Sequence, residues 1–353
     1  MGLNFFLTIL AAPTKAPSMS KKKVLYVINP HSGVGRKSTI EKEIKVRTDT
    51  DKIDFDIVYT THRGHATELA TRSRNVLDAV IAVGGDGTVN EVGTGLIGSR
   101  TALGIIPCGS GNGLARELDI PLRTSSAIDV INELDMRKID TLKVANRYSL
   151  NVAGIGFDAY ISHLFANKKT RGPLQYMNLI AKEFPVYKPA SYVLDLGGDI
   201  FQRTAFLISF ANSSQWGNNI HIAPNACLDD GLMDVCMVSE FPNMAIPSLI
   251  ISLLSQSIDS NKYDEMIRAS HVTLHNDEEL WGHVDGEPVI LPPHASIEVI
   301  PLSLNVITPT EEYFESQRFT PAKLHEQIKT TSAQIINRVK ETSNEIKQIF
   351  TEK

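Results

Sequence analysis

Residues 80–91 read Val-Ile-Ala-Val-Gly-Gly-Asp-Gly-Thr-Val-Asn-Glu: an apolar strand runs into three glycines, an aspartate and a threonine before a helical pattern begins. A strand, a glycine turn and a helix start present bare backbone N–H groups to phosphate. Gly84, Gly85 and Gly87 carry no Cβ that would hold a ligand away. Asp86 is the odd member, because a carboxylate beside phosphates repels them unless a cation or a transferable proton lies between. It points to Mg²⁺ or to general-base chemistry. A tight turn with a helix-capping aspartate would read the same from this segment alone.

Two more glycine elements reduce the weight of that plainer reading. After Val24–Ile28 come Asn29-Pro30-His31-Ser32-Gly33-Val34-Gly35-Arg36-Lys37, and after Leu103–Pro107 come Cys108-Gly109-Ser110-Gly111-Asn112-Gly113. Three strand ends with such exits would gather at one edge of a parallel sheet, where these sheets bind ligands. None has the P-loop spacing or the dinucleotide fingerprint. Far downstream, Val284-Asp285-Gly286-Glu287-Pro288 projects two acids from a glycine turn. Phosphorylating an alcohol needs a nucleophile in line with a γ-phosphate, Mg²⁺ to neutralise charge, and a carboxylate to accept the hydroxyl proton. Asp285, Glu287 and Asp86 are the candidates, and a hairpin bearing solvated acids is the competing reading of the last segment.

Together, Asn29-Pro30-x-Ser32-Gly33, Gly84-Gly85-Asp86-Gly87-Thr88-x-Asn90-Glu91, Ile106-Pro107-x-Gly109-Ser110-Gly111-Asn112 and Val284-Asp285-Gly286-Glu287 resemble the diacylglycerol-kinase-like lipid kinases. That family includes bacterial diacylglycerol kinases and the sphingosine and ceramide kinases. The motifs occur in its order and span about residues 22–308. The resemblance implies a Rossmann-like α/β nucleotide-binding domain, an antiparallel β-sandwich domain, and a cleft between them.

It also implies roles. Asn29, Pro30, His31, Ser32, Gly33, Thr60, Gly85, Asp86, Gly87, Thr88, Val89, Asn90, Glu91 and Ser110 would contact ATP. Asp285 would be the base, Asp86 would organise phosphate and Mg²⁺, and Glu287 would support the metal; the two aspartate roles are exchangeable between branches of the family. A second Mg²⁺ would sit on Asp230 and the carbonyls of Cys227 and Leu232, although a plain Asp-Gly turn serves that stretch equally. Asp158 would meet a polar lipid headgroup, with a helix N-cap as its alternative. Arg36 and Lys37 would neutralise phosphate, or simply begin a solvated helix. Bacterial members commonly read Gly-Thr-x-Asn-Asp in the third element, whereas this chain has Gly109-Ser110-Gly111-Asn112-Gly113, which leans toward a long-chain base or related lipid as substrate, with diacylglycerol the other type.

The rest of the chain is compatible with such an enzyme. At 353 residues it accommodates two domains, and 42% hydrophobic with 21% charged residues fits a globular protein. A net charge of −5 argues against a nucleic-acid binder. Cys108, Cys227 and Cys236 are far apart and without metal spacing, as expected for reduced thiols. No run reaches the roughly 18 apolar residues of a spanning helix. Residues 1–20 read as a tail, with Met19 before Lys21-Lys22-Lys23 as a plausible start.

From Val24 to about Leu142, strands over Val24–Ile28, Asp54–Tyr59, Ala79–Val83 and Leu103–Ile106 alternate with helical runs, one of them beginning at Asn90. This predicts an α/β domain over 21–142 with a parallel sheet. Short β-rich runs with turn residues between them predict the sandwich over 143–308. In 309–353, Leu324, Ile328, Ile335, Val339, Ile346 and Ile349 share one helical face, predicting a helical extension and a place for a homodimer contact. The reading is an ATP- and Mg²⁺-dependent lipid kinase, cytoplasmic and peripheral at the inner membrane face. An NAD kinase and a catalytically silent nucleotide- or lipid-binding module are its rivals.

Overall fold

The computed structural model describes residues 20–32, 37–166, 168 and 173–317. The expected N-terminal tail, Gly33, Arg36 and the amphipathic run after 320 lie outside the described residues. Two compact units are present, 1–308 and 309–353.

The first unit opens with β1 (Lys22–Ile28), α1 (Lys37–Arg47), β2 (Ile53–Tyr59), α2 (His65–Ser73), β3 (Ala79–Gly84), α3 (Asp86–Leu96), β4 (Ala102–Pro107), α4 (Gly113–Glu117) and α5 (Thr124–Glu133). The four strands pair in parallel in the order β4-β3-β1-β2. Every residue of β3 and β4 is buried, which is why both read as unbroken apolar runs: a parallel strand covered on both faces has no solvent side to keep polar. Ile81, Ile105, Ile106, Leu96 and Ile128 fill the interior, and the buried Tyr26 hydroxyl is satisfied by Thr48 at 3.0 Å. One boundary is corrected: α3 starts at Asp86 rather than Asn90. Gly85 is its extended N-cap, and an acid in the first turn complements the helix dipole.

The unit continues through β5 (Met136–Val144), β6 (Arg147–Ser149), β7 (Val152–Gly156), α6 (Phe157–Ala166), α7 (Pro173–Glu183), β8 (Ala190–Asp195), β9 (Ile200–Ala211), β10 (Gln215–Gly217), β11 (Ile220–His221) and β12 (Met233–Ser239). After these come α8 (Ile246–Leu254), β13 (Asp264–Ala269), β14 (His271–His275), β15 (Leu280–Val284), β16 (Glu287–Leu291) and β17 (Ala295–Ile307). Pairings among these strands are antiparallel, with β16-β15-β7-β9-β8-β14-β17 hydrogen-bonded in that order and β12, β13, β5 and β6 on branches. The sheet does not stop at the expected boundary. β17 pairs with β5 on one side, and its Val306 pairs in parallel with Leu103 of β4, joining antiparallel and parallel strands into one sheet.

β17 makes this crossing at a break in register between Ile300 and Leu304, where Leu302 adopts φ +47°. The buried Asp140 holds the break: its carboxylate accepts from Leu302 N at 2.6 Å and from Gly231 N at 2.7 Å. Among the described residues no helix is long and apolar enough to cross a membrane, and no disulfide joins two cysteines. In the second unit the described helix is α9 (Glu311–Gln317).

Candidate active site

The glycine turns after β3 and β4 meet residues 29–32 at the carboxyl ends of β1, β3 and β4, joined by backbone bonds: Asn29 N donates to Val83 O at 3.0 Å and Cys108 N to Gly84 O at 2.7 Å. Two of the turns touch with nothing between them. A Cβ on Gly109 would stand 2.7 Å from the Cα of Gly85, so each glycine makes room for the other. At the first turn, Asn29 Nδ2 donates to Thr88 Oγ1 at 3.0 Å while its Oδ1 accepts from His31 N at 2.9 Å. Pro30 is half-buried, and His31 and Ser110 are exposed at the rim. Thr60 follows β2, its N–H bonded to Ile28 O at 2.9 Å.

Asp86 reaches from the head of α3 across to the third turn. Its Oδ2 accepts from Asn112 N at 2.9 Å and its Oδ1 from Gly113 N at 2.7 Å, capping α4. Burial pushes the Asp86 carboxyl above the ordinary carboxylate range; the charge of Asp285 adds to this, and the two N–H groups oppose it. Val89 is buried in α3 and has only its backbone to offer a ligand. Glu91 caps α2, accepting from Gly64 N at 2.9 Å and Ala66 N at 3.2 Å.

The fourth motif is a two-residue hairpin between β15 and β16. Asp285 and Gly286 have φ +48° and +80°, the pair of left-handed residues that a type I′ turn requires and that Asp-Gly supplies. The turn aims Asp285 inward, where donors enclose it. Oδ1 accepts from Ser149 Oγ at 2.5 Å, Asn151 N at 3.0 Å and Val152 N at 3.2 Å. Oδ2 accepts from Asn90 Nδ2 at 2.7 Å and Leu150 N at 3.0 Å. Glu287 leaves the same turn outward. Its Oε2 pairs with Arg63 Nη2 at 2.8 Å, and its Oε1 lies 3.5 Å from where a Cβ on Gly87 would stand. The hairpin's acids are thus brought to the glycine turns from about 200 residues away in the chain.

Asp158, in the first turn of α6, is engaged rather than open. His283 Nε2 lies 2.9 Å from its Oδ2, Ala159 N donates to Oδ1 at 2.7 Å, and both side chains of the pair are nearly buried. Gly286 N points at His283 Nδ1 from 3.3 Å, which leaves the proton on Nε2 and makes that nitrogen the donor to Asp158. At the turn expected to hold a metal on Asp230 and the carbonyls of Cys227 and Leu232, the Asp230 carboxylate has partners within the chain. Asp230 Oδ2 pairs with Arg268 Nη2, and Asp230 Oδ1 accepts from Leu232 N at 3.0 Å. Arg268 also lies 3.3 Å from the buried Asp234, so a guanidinium supplies the positive charge there. Cys227 directs its thiol to Asp229 at 3.1 Å. Among the described residues no three His, Cys, Asp or Glu side chains come together as a metal set.

Sequence reasoning missed Arg63, Ser149, Asn151 and His283. His283 stands two residues before Asp285 and could have been found as the inward neighbour on an alternating strand. Arg63 carries no local signal.

Comparison with known proteins agrees with this architecture. The diacylglycerol kinase catalytic domain model matches residues 23–144, and the YegS C-terminal NAD kinase beta sandwich-like domain model matches 151–308. A Staphylococcus aureus diacylglycerol kinase is 31% identical over 277 residues, covering 76% of this chain and 86% of that protein. One from Staphylococcus saprophyticus is 29% identical over 274 residues, covering 76% and 89%. A solved structure of a Bacillus anthracis protein described as a diacylglycerol kinase superposes with a TM-score of 0.69 at 23% identity, covering 86% of this chain and 99% of that one.

Proposed function

That this chain belongs to the diacylglycerol kinase family of lipid kinases is the premise from which we propose that it transfers the γ-phosphate of ATP, with Mg²⁺, to the hydroxyl of an uncharged lipid alcohol of the diacylglycerol kind. The observation that carries this reading is the convergence of Asp86, Asp285 and Glu287 on turns whose glycines touch backbone to backbone.

N–H groups at the turns after β3 and β4 would hold the phosphates. The oxygens of Glu287 are hard donors of the kind Mg²⁺ takes, and Glu287 already lies against Gly87. Bound there, the ion would neutralise phosphate charge. The lipid hydroxyl oxygen forms its bond to the γ-phosphorus as the bond to the bridging oxygen of ADP breaks, and the hydroxyl proton passes to a carboxylate. Asp86 is the better acceptor. Its proton affinity is raised and each of its oxygens accepts one backbone N–H, whereas the five donors around Asp285 occupy its lone pairs. Asp285 then acts as the anchor that fixes the hairpin and Asn90.

Asp158 bears on the substrate. A carboxylate already bonded to His283 and Ala159 N is not waiting for an ammonium group, which favours a neutral headgroup over the long-chain base.

The test is transfer of label from γ-labelled ATP with Mg²⁺ to diacylglycerol, monoacylglycerol, a sphingoid base, ceramide and phosphatidylglycerol in mixed micelles, with NAD alongside. Label in diacylglycerol, lost in Asp86→Asn, is expected. Label in the sphingoid base would overturn the assignment of substrate, and label in NAD alone would overturn the assignment of reaction.

A further inference from the structure

Most large apolar side chains of the described residues are inside, but four that are not fall together. Met244 is 92% exposed, and in α8 Ile250, Ile251 and Leu254 are 51%, 64% and 56% exposed. Leu249 and Ser252 turn the opposite side of α8 inward. From Phe241 to Ile258 the chain contains no charged residue. A surface helix ordinarily sets charge opposite its buried stripe, whereas α8 sets aliphatic side chains there. Such a cluster marks an interaction surface, where a single exposed leucine would not.

The underside of this surface leads to the active site. Leu253 and Phe241 pack on an apolar cluster that contains Phe157 and Phe206. Phe241 lies 5.0 Å from Phe206, and Phe206 lies 4.7 Å from Phe157. Phe157 directly precedes Asp158, whose partner His283 stands two residues before Asp285. A continuous buried core therefore joins the underside of α8 to the helix that carries Asp158.

The charged residues flanking this segment along the chain are Glu240 before it and Asp259 and Lys262 after it, Lys262 sitting 4.8 Å over the Tyr263 ring, while Glu265 is balanced by its partner Arg203. Acids outnumber the lysine, so attraction to anionic headgroups is not what would bring this face to a membrane. Resting on the lipid-kinase reading, we propose that α8 and the preceding Met244 insert into the surface of a bilayer by apolar burial, with little dependence on charge.

The experiment uses the full chain with Ile250→Asn, Ile251→Asn and the double substitution, in co-sedimentation with vesicles of zwitterionic phosphatidylcholine at low and high salt. Each substitution is expected to lower partitioning about tenfold, and salt to leave wild-type binding unchanged. Kinase activity is followed on long-chain diacylglycerol in the vesicles and on a short-chain, water-soluble diacylglycerol. The first should fall with binding while the second holds. A double variant that binds vesicles like wild type would overturn the proposal, as would binding that salt abolishes. So would a lipid-free dimer that the substitutions split while vesicle binding persists, which would assign the face to a second copy. Wild-type protein that binds through α8 but phosphorylates neither diacylglycerol would leave the docking surface standing and remove the reaction instead.

Discussion

Replacing Asp285 and Asp86 by asparagine should differ sharply in the cost to stability although both abolish turnover. Asp285 accepts five hydrogen bonds, three of them from the backbone N–H groups of Leu150, Asn151 and Val152. Either orientation of an asparagine amide sets its NH₂ against at least one of those N–H groups: Leu150 on one side, Asn151 and Val152 on the other. A donor facing a donor in a half-buried site costs about 1–3 kcal/mol, and the remaining bonds lose the strength a charge gives them. Asp285→Asn should therefore destabilise the fold by roughly 2–4 kcal/mol. Asp86 differs because burial already disfavours its charge. An asparagine removes that burden while its NH₂ is set against either Asn112 N or Gly113 N, so the two effects offset and stability should change by only about 1 kcal/mol. Denaturant unfolding of the two variants beside wild type reads the difference directly, with label transfer to diacylglycerol measured in parallel. An Asp285→Asn protein as stable as wild type would refute the anchor assignment and return the base role to Asp285.

Gly109→Ala should lower activity at least tenfold and cost about 1–3 kcal/mol, because the new Cβ meets the Cα of Gly85, which cannot move without parting the turns; steady-state kinetics and thermal unfolding check this. His283→Ala leaves the nearly buried Asp158 without its ring partner and should cost about 3 kcal/mol, while His283→Gln, which keeps an N–H donor, should recover much of it in the same unfolding assay. Asp264 has both carboxylate oxygens buried without a hydrogen bond, and burial raises its pKa to about 7. The folded state therefore holds this proton more tightly than the unfolded one, so its stabilising contribution is complete below about pH 4 and is lost as pH rises to about 7. Asp264→Asn should accordingly unfold later than wild type at pH 8, by an amount on the order of a few kcal/mol, and together with it at pH 4; denaturation at the two pH values decides.

The sequence by itself determined whatever depends on neighbours along the chain. The strand cores of β1, β3 and β4 are apolar runs because both faces are covered, and β3 and β4 run into glycines because the two backbones there approach each other. Asp285-Gly286 specifies its hairpin locally, since the two residues best able to take left-handed φ sit side by side. β5 and β13 were not legible in the same way. Met136-Arg137-Lys138 begins β5 with exposed positions, and β13, Asp264-Glu265-Met266-Ile267-Arg268-Ala269, lacks the alternation of a half-buried strand.

What the acids do was decided only by the tertiary structure. The partners of Asp285 lie 133 to 136 residues before it, and Asn90 lies 195 before it. Asp86 is capped from 27 residues away, and Asp158 meets His283 across 125. Those distances close only because β15 pairs with β7 and β17 enters beside β4. Strand register of that kind leaves no trace in local composition. A carboxylate written in a glycine turn can be a base, a cap or an anchor, and the choice depends on which donors the sheet brings to its oxygens.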